Sequence, residues 1–140
     1  MILYLDTSAW VKLYVRELHS ELARRWVDQA TVIATAELTY VEARSSLARR
    51  WREGTLDATA YEGALAAVDG DWPRLVGLTL DRVEAGQMVD RHRLKALDAV
   101  HVAAATRLAR RLAPEPVFFA SFDVRQREAA ALEGLQLLQP

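Results

Sequence analysis

Four acidic residues, Asp6, Glu42, Asp98 and Asp123, stand where apolar segments give way to polar ones. Asp6 directly follows Ile2-Leu3-Tyr4-Leu5, and Asp123 comes just past Val117-Phe118-Phe119-Ala120-Ser121. Both would fall at the carboxyl edge of a parallel sheet, where α/β folds place their ligands. Carboxylates gathered at such an edge raise one another's pKa unless a positive charge lies between them. A hard divalent cation with oxygen ligands, Mg²⁺ or Mn²⁺, suits that donor set.

Each acid also has a plainer explanation. Asp6 and Asp123 come between a strand and a helix, where an aspartate can cap the helix, and Asp98 sits in a first turn, where the helix dipole favours it. Three separate caps are less economical than one shared site. Glu42 falls inside a long helical stretch, so capping does not explain it, but pairing with a nearby arginine such as Arg49 does. Periodicity alone does not choose between Glu37 and Glu42.

The elements that must position these groups alternate. Ile2 to Leu5 reads as a buried strand, followed by a helix over Ala9 to Tyr14 with Thr7 and Ser8 as capping hydroxyls. A helix over Ser20 to Asp28 leads to a strand at Thr31 to Ala34. Then comes the longest helix, from about Ala36 to Glu53, with Thr35 as its cap and Gly54 as its stop. Asp57 caps a helix ending at the Asp71-Trp72-Pro73 turn. Leu75 to Leu78 forms a short strand and Asp81 to Asp90 a helix. The small-residue stretch Leu97 to Ala105 predicts a helix lying close against the sheet until Pro114 interrupts it. Val117 to Ala120 is a strand, Val124 to Leu132 a helix and Leu135 to Leu138 an edge strand. This order predicts an α/β fold with a mostly parallel sheet of four or five strands wrapped on both faces.

The 140 residues fit one domain, 1–140, and a hydrophobic share of 51% fills a single core. With no cysteine, disulfides, thiolate nucleophiles and cysteine-based zinc sites are excluded. No run approaches the roughly 18 apolar residues of a membrane span, and the amino-terminal run is too short and unflanked for a signal peptide, so a soluble, cytoplasmic chain is expected. The net charge of −1 lacks the global positive field of many nucleic-acid binders. Arginines nevertheless cluster around Arg44 to Arg52, Arg91 to Lys95 and Arg107 to Arg111, either as a basic rim or as solvated helix ends.

Four stretches carry a family resemblance: Tyr4-Leu5-Asp6-Thr7-Ser8-Ala9, Val41-Glu42-Ala43-Arg44-Ser45-Ser46-Leu47, Leu97 through Ala105, and Phe119-Ala120-Ser121-Phe122-Asp123. In that order, in a chain of this length, they resemble PIN-domain ribonucleases, and within that group the VapC toxins of toxin–antitoxin pairs. The resemblance implies a three-layer α/β/α sandwich and favours Glu42 over Glu37. It also implies that Asp6, Glu42, Asp98 and Asp123 hold one or two Mg²⁺ or Mn²⁺ ions for hydrolysis of RNA phosphodiesters. Ser121 would orient a water or an acid, and Thr7 would assist. A homodimer restrained by a VapB-like antitoxin is implied as well. His101 reads as structural, because hard cations prefer oxygen, and His19 and His92 read as surface residues. A phosphorylation receiver is the main non-enzymatic competitor. It would need paired acids after the first strand and an acceptor after the third, and the chain offers only Asp6 and none at Leu78-Thr79.

Overall fold

The computed structural model describes residues 1–140. Five strands, β1 (Ile2–Leu5), β2 (Val32–Ala36), β3 (Val76–Leu78), β4 (Val117–Ala120) and β5 (Gln136–Leu137), form one sheet in the order β3-β2-β1-β4-β5. Every pairing is parallel. The connecting helices are α1 (Thr7–Val11), α2 (Ser20–Asp28), α3 (Leu38–Arg52), α4 (Ala58–Asp71), α5 (Arg82–His92), α6 (Ala96–Leu112) and α7 (Val124–Leu132).

Alternation along the strands sends side chains to two apolar layers. Tyr4, Ala34, Val117 and Phe119 pack with α5, α6 and α7, whereas Leu3, Leu5 and Ala120 pack with Trp10, Trp26, Ala43, Leu47 and Val68 from α1 to α4. The result is the three-layer sandwich. In α6, Ala99 and Ala103 to Ala105 are all buried, so small side chains let that helix lie close over the sheet.

Several local expectations shift. β2 runs two residues further than expected, so Thr35 is a strand residue and α3 begins at Leu38 rather than Ala36. The Thr35 hydroxyl donates to the Leu5 carbonyl at 2.7 Å and meets the Thr39 hydroxyl at 2.6 Å, fastening strand to helix instead of capping it. The α1 cap is Asp6 itself, not Thr7 or Ser8. Gly54 ends α3 at φ +78°, a left-handed conformation that glycine adopts without steric cost. Asp57 caps α4 through the Ala60 amide, as expected.

The order places the sheet's switch point between β1 and β4. From β1 the chain winds outward through β2 and β3, then crosses back to β4 on the other side. Helices leaving β1 and β4 diverge there and open a crevice at their carboxyl ends, where Asp6 and Asp123 lie.

Candidate active site

Asp6 is completely buried, one residue past β1. Its Oδ1 accepts the Ala9 amide at 2.8 Å, the Ser8 hydroxyl lies 2.8 Å from both carboxyl oxygens, and the Ser121 hydroxyl donates to Oδ2 at 2.7 Å. Each serine is itself held from the β4 side. The Phe122 amide donates to Ser8 Oγ at 2.9 Å and the Asp123 amide to Ser121 Oγ at 3.0 Å. Burial pushes the Asp6 carboxyl above its usual range, and these donors with nearby His101 pull the other way. Asp6 is therefore both a helix cap and a member of the site, two roles that the sequence had set against each other.

Glu42, on α3, meets the neighbouring layer through His101. Its Oε1 lies 3.0 Å from His101 Nε2, which is also 3.1 Å from Thr7 Oγ1, while His101 Nδ1 lies 3.0 Å from the Tyr4 hydroxyl. A carboxylate only accepts, so Nε2 carries the proton, and in the neutral ring Nδ1 accepts from Tyr4. Burial, followed by the charges of Asp6 and Glu42, raises the Tyr4 phenol well above its ordinary value and keeps it a donor.

Asp98 lies in the first turn of α6, and Asp123 caps α7 by accepting the Gln126 amide at 2.9 Å. Gln126 is buried, and its Nε2 donates to Asp98 Oδ1 at 2.9 Å. Burial raises the Asp98 carboxyl, and the charge of Asp123 raises it further.

All four acids line one open pocket of about 510 Å³, together with Thr7, Lys12, Glu17 and Arg49. Glu37 is not among its lining residues. Glu17 bridges two cations at the rim, pairing with Lys12 at 2.8 Å and Arg50 at 2.9 Å. Although burial pushes Glu17 up, those two partners hold its carboxyl below the usual range.

In donor chemistry and placement the pocket suits a hard divalent cation. Its donors are carboxylate oxygens, two of the acids repel each other, and the buried Gln126 Oε1 beside Asp98 has no hydrogen-bond partner. It is not a closed cage, for no three of its acids or histidines stand close enough together to enclose an ion. That is compatible with Mg²⁺, which keeps several waters and takes one or two carboxylates plus substrate phosphate oxygens.

Ser8 holds the Asp6 carboxylate, as its place two residues further along suggests, whereas two contributors escape the sequence reading: His101 braces Glu42 and Gln126 holds Asp98. Helical spacing carries a signal for both, since His101 lies three residues after Asp98 and Gln126 three after Asp123. His92 is a correction as well, because its side chain is only 8% exposed and Nε2 lies 2.7 Å from Glu133 Oε1.

Comparison with known proteins agrees with this architecture. The PIN domain family model matches residues 3–132. Ribonuclease VapC49 of Mycobacterium tuberculosis (strain ATCC 25618 / H37Rv) is 35% identical over 111 residues, covering 74% of each chain. Ribonuclease VapC46 of the same strain is 33% identical over 138 residues, covering 99% of this chain and 97% of the relative. Among solved structures, Mycobacterium tuberculosis VapC20, described as a sarcin-ricin loop cleaving toxin, superposes with a TM-score of 0.68 at 20% identity and covers 99% of both chains. VapBC2 from Rickettsia felis, bound to a DNA fragment from their promoter, gives 0.65 at 12% identity over 99% of this chain and 98% of that one. These last two likenesses concern the fold. A matched family model across nearly the whole chain and relatives above 30% identity make this chain a member of the PIN-domain family, in its VapC group.

Proposed function

We propose that this chain is a divalent-metal-dependent endoribonuclease and the toxin of a toxin–antitoxin pair. The observation that carries the reading is the meeting of Asp6, Glu42, Asp98 and Asp123 in one pocket at the sheet's switch point, in a chain whose relatives are named ribonucleases. One or two of Asp6, Glu42, Asp98 and Asp123 would hold the Mg²⁺ or Mn²⁺ directly, and the others would hold it through its waters. When bound, such a cation polarises a phosphodiester and lowers the pKa of water.

The chain's own residues set the geometry. Ser8, Ser121 and the Ala9 amide fix Asp6, His101 turns Glu42, and Gln126 orients Asp98. The charge set by these acids attracts the cation, and the open pocket leaves room for an RNA phosphate. The nucleophile is water, with the Ser8 and Ser121 hydroxyls committed to Asp6. A VapB-like antitoxin restrains the activity, the chain pairs as a homodimer, and it works in the cytoplasm as one PIN domain over 1–140. The VapBC2 structure among the neighbours supports the antitoxin.

Purified chain is expected to cut single-stranded RNA with Mn²⁺ or Mg²⁺ and to stop in excess chelator. Asp6→Asn and Asp98→Asn should abolish cleavage while circular dichroism stays unchanged. Undiminished cleavage in chelator, or by either variant, contradicts the metal mechanism. Co-expression with a cognate VapB-like antitoxin should relieve growth arrest, and light scattering reads the dimer.

A further inference from the structure

The acid pocket continues past Thr7, Glu42, Ser46 and Arg49 into a second depression of about 490 Å³ along α3, which reaches Arg52. Val41 on α3 and Leu97 before Asp98 bound it, at 63% and 45% exposure, and Ser45 adds an exposed hydroxyl. We infer that this groove holds the single strand of RNA flanking the cleaved bond, with Arg49 and Arg52 on its phosphates and Val41 and Leu97 against its bases.

Charge accounts for the direction. Of the cations lining the acid pocket, Lys12 and Arg50 are both held by Glu17, which leaves Arg49 as the one without an ion pair. Arg44, also on α3, is held by Asp69 at 2.8 Å. Arg52 has no acidic partner and opens onto the same groove. Both arginines lie in the last turn of α3, where the helix dipole favours cations. The dipole does not explain why these two line the groove that leads from the acids while Arg50, beside them, is tied up with Glu17.

Spacing agrees with a backbone track. Arg49 and Arg52 lie seven and ten residues beyond Glu42, or about 10 Å and about 15 Å along the helix axis. Arg49 at the pocket's edge and Arg52 one turn further on follow each other along the groove, as successive phosphates of one strand would. Guanidinium groups take phosphate in a planar fork, and exposed apolar faces accept unstacked bases. An acidic protein segment would also meet the arginines. RNA is favoured because a strand cleaved at the acids must leave the pocket, and this is the rim with unpaired cations.

The proposal rests on the ribonuclease reading, and its test separates the two. Binding of a fluorescein-labelled twelve-nucleotide single-stranded RNA is measured by anisotropy in EDTA across a salt series, and cleavage is measured separately in Mn²⁺. With Arg49→Ala and Arg52→Ala combined, binding should weaken about tenfold or more, and log K against log salt should flatten by about 1.4, two phosphates at roughly 0.7 each. KM for cleavage should rise. Arg49→Lys with Arg52→Lys should recover most of the binding. Arg110→Ala with Arg111→Ala, at the far end of α6, should leave it unchanged. An unaltered affinity and slope in the double alanine variant overturns the groove, as does an equal loss in the Arg110 and Arg111 control. So does a variant that binds RNA normally but loses a poly-glutamate peptide. Wild-type protein that binds RNA through Arg49 and Arg52 yet never cleaves it would instead defeat the ribonuclease reading alone.

Discussion

Replacing His101 by its two partial mimics separates its structural bond from its bond to the site. The ring is 1% exposed and works at both nitrogens, with Nδ1 on the Tyr4 hydroxyl and Nε2 on Glu42 and Thr7. His101→Asn keeps a polar group near the Nδ1 position and withdraws the donor from Glu42. His101→Gln keeps a donor near the Nε2 position and strands the Tyr4 hydroxyl, which is fully buried. Losing the partner of a buried polar group costs about 1–3 kcal/mol, so both variants should melt roughly 3–10 °C below wild type. Activity should divide them. A hydrogen bond to a charged group contributes about 1.5–3 kcal/mol, so Asn should lower Mn²⁺-dependent cleavage roughly 10- to 100-fold, whereas Gln stays within about fivefold. Urea titrations supply the stability scale and initial rates on one RNA the activity scale. Equal activity in the two variants would show that His101 merely fills space and would refute the brace.

Other consequences are equally direct. Burial raises Asp6, so its folded pKa exceeds the unfolded value of about 3.9 and its ionisation opposes folding. The penalty is absent below pH ~4 and grows as pH rises through the raised pKa, so the stability of Asp6→Asn relative to wild type should improve across that window and then level off. The difference between the two proteins is the right readout, because Glu17, Asp81 and Glu133 are held low and move the total the other way; a gap independent of pH would contradict the burial argument. Mn²⁺ should narrow that gap by stabilising wild type and not the variant, as calorimetry can check. Ala105→Leu should cost about 1–3 kcal/mol by crowding α6 against the sheet, and an unchanged urea midpoint would count against close packing there.

Much of this arrangement is legible in the chain itself. β1, β4 and α7 lie where apolar runs and turn residues put them, since short buried strands flanked by polar residues have few alternatives. The start of α3 is not legible in the chain, because Thr35 suits both a strand end and a cap, and only tertiary contact with Leu5 decides between them. Capping and catalysis looked like rivals at Asp6 and Asp123, yet a carboxylate has two oxygens and can do both. Which partner meets which acid is the least visible part. The family resemblance names Ser121 as orienting a water or an acid, but not that the acid is Asp6, 115 residues away; His101 and Glu42 are 59 apart, and no periodicity reports a meeting at such distances.

The central position of β1 has a consequence for assembly of the fold. Its second edge is closed only when β4 pairs with it, and Asp6 gains its Ser121 donor, 115 residues away, in the same event. The lining of the acid pocket therefore comes together with closure of the sheet and not before it.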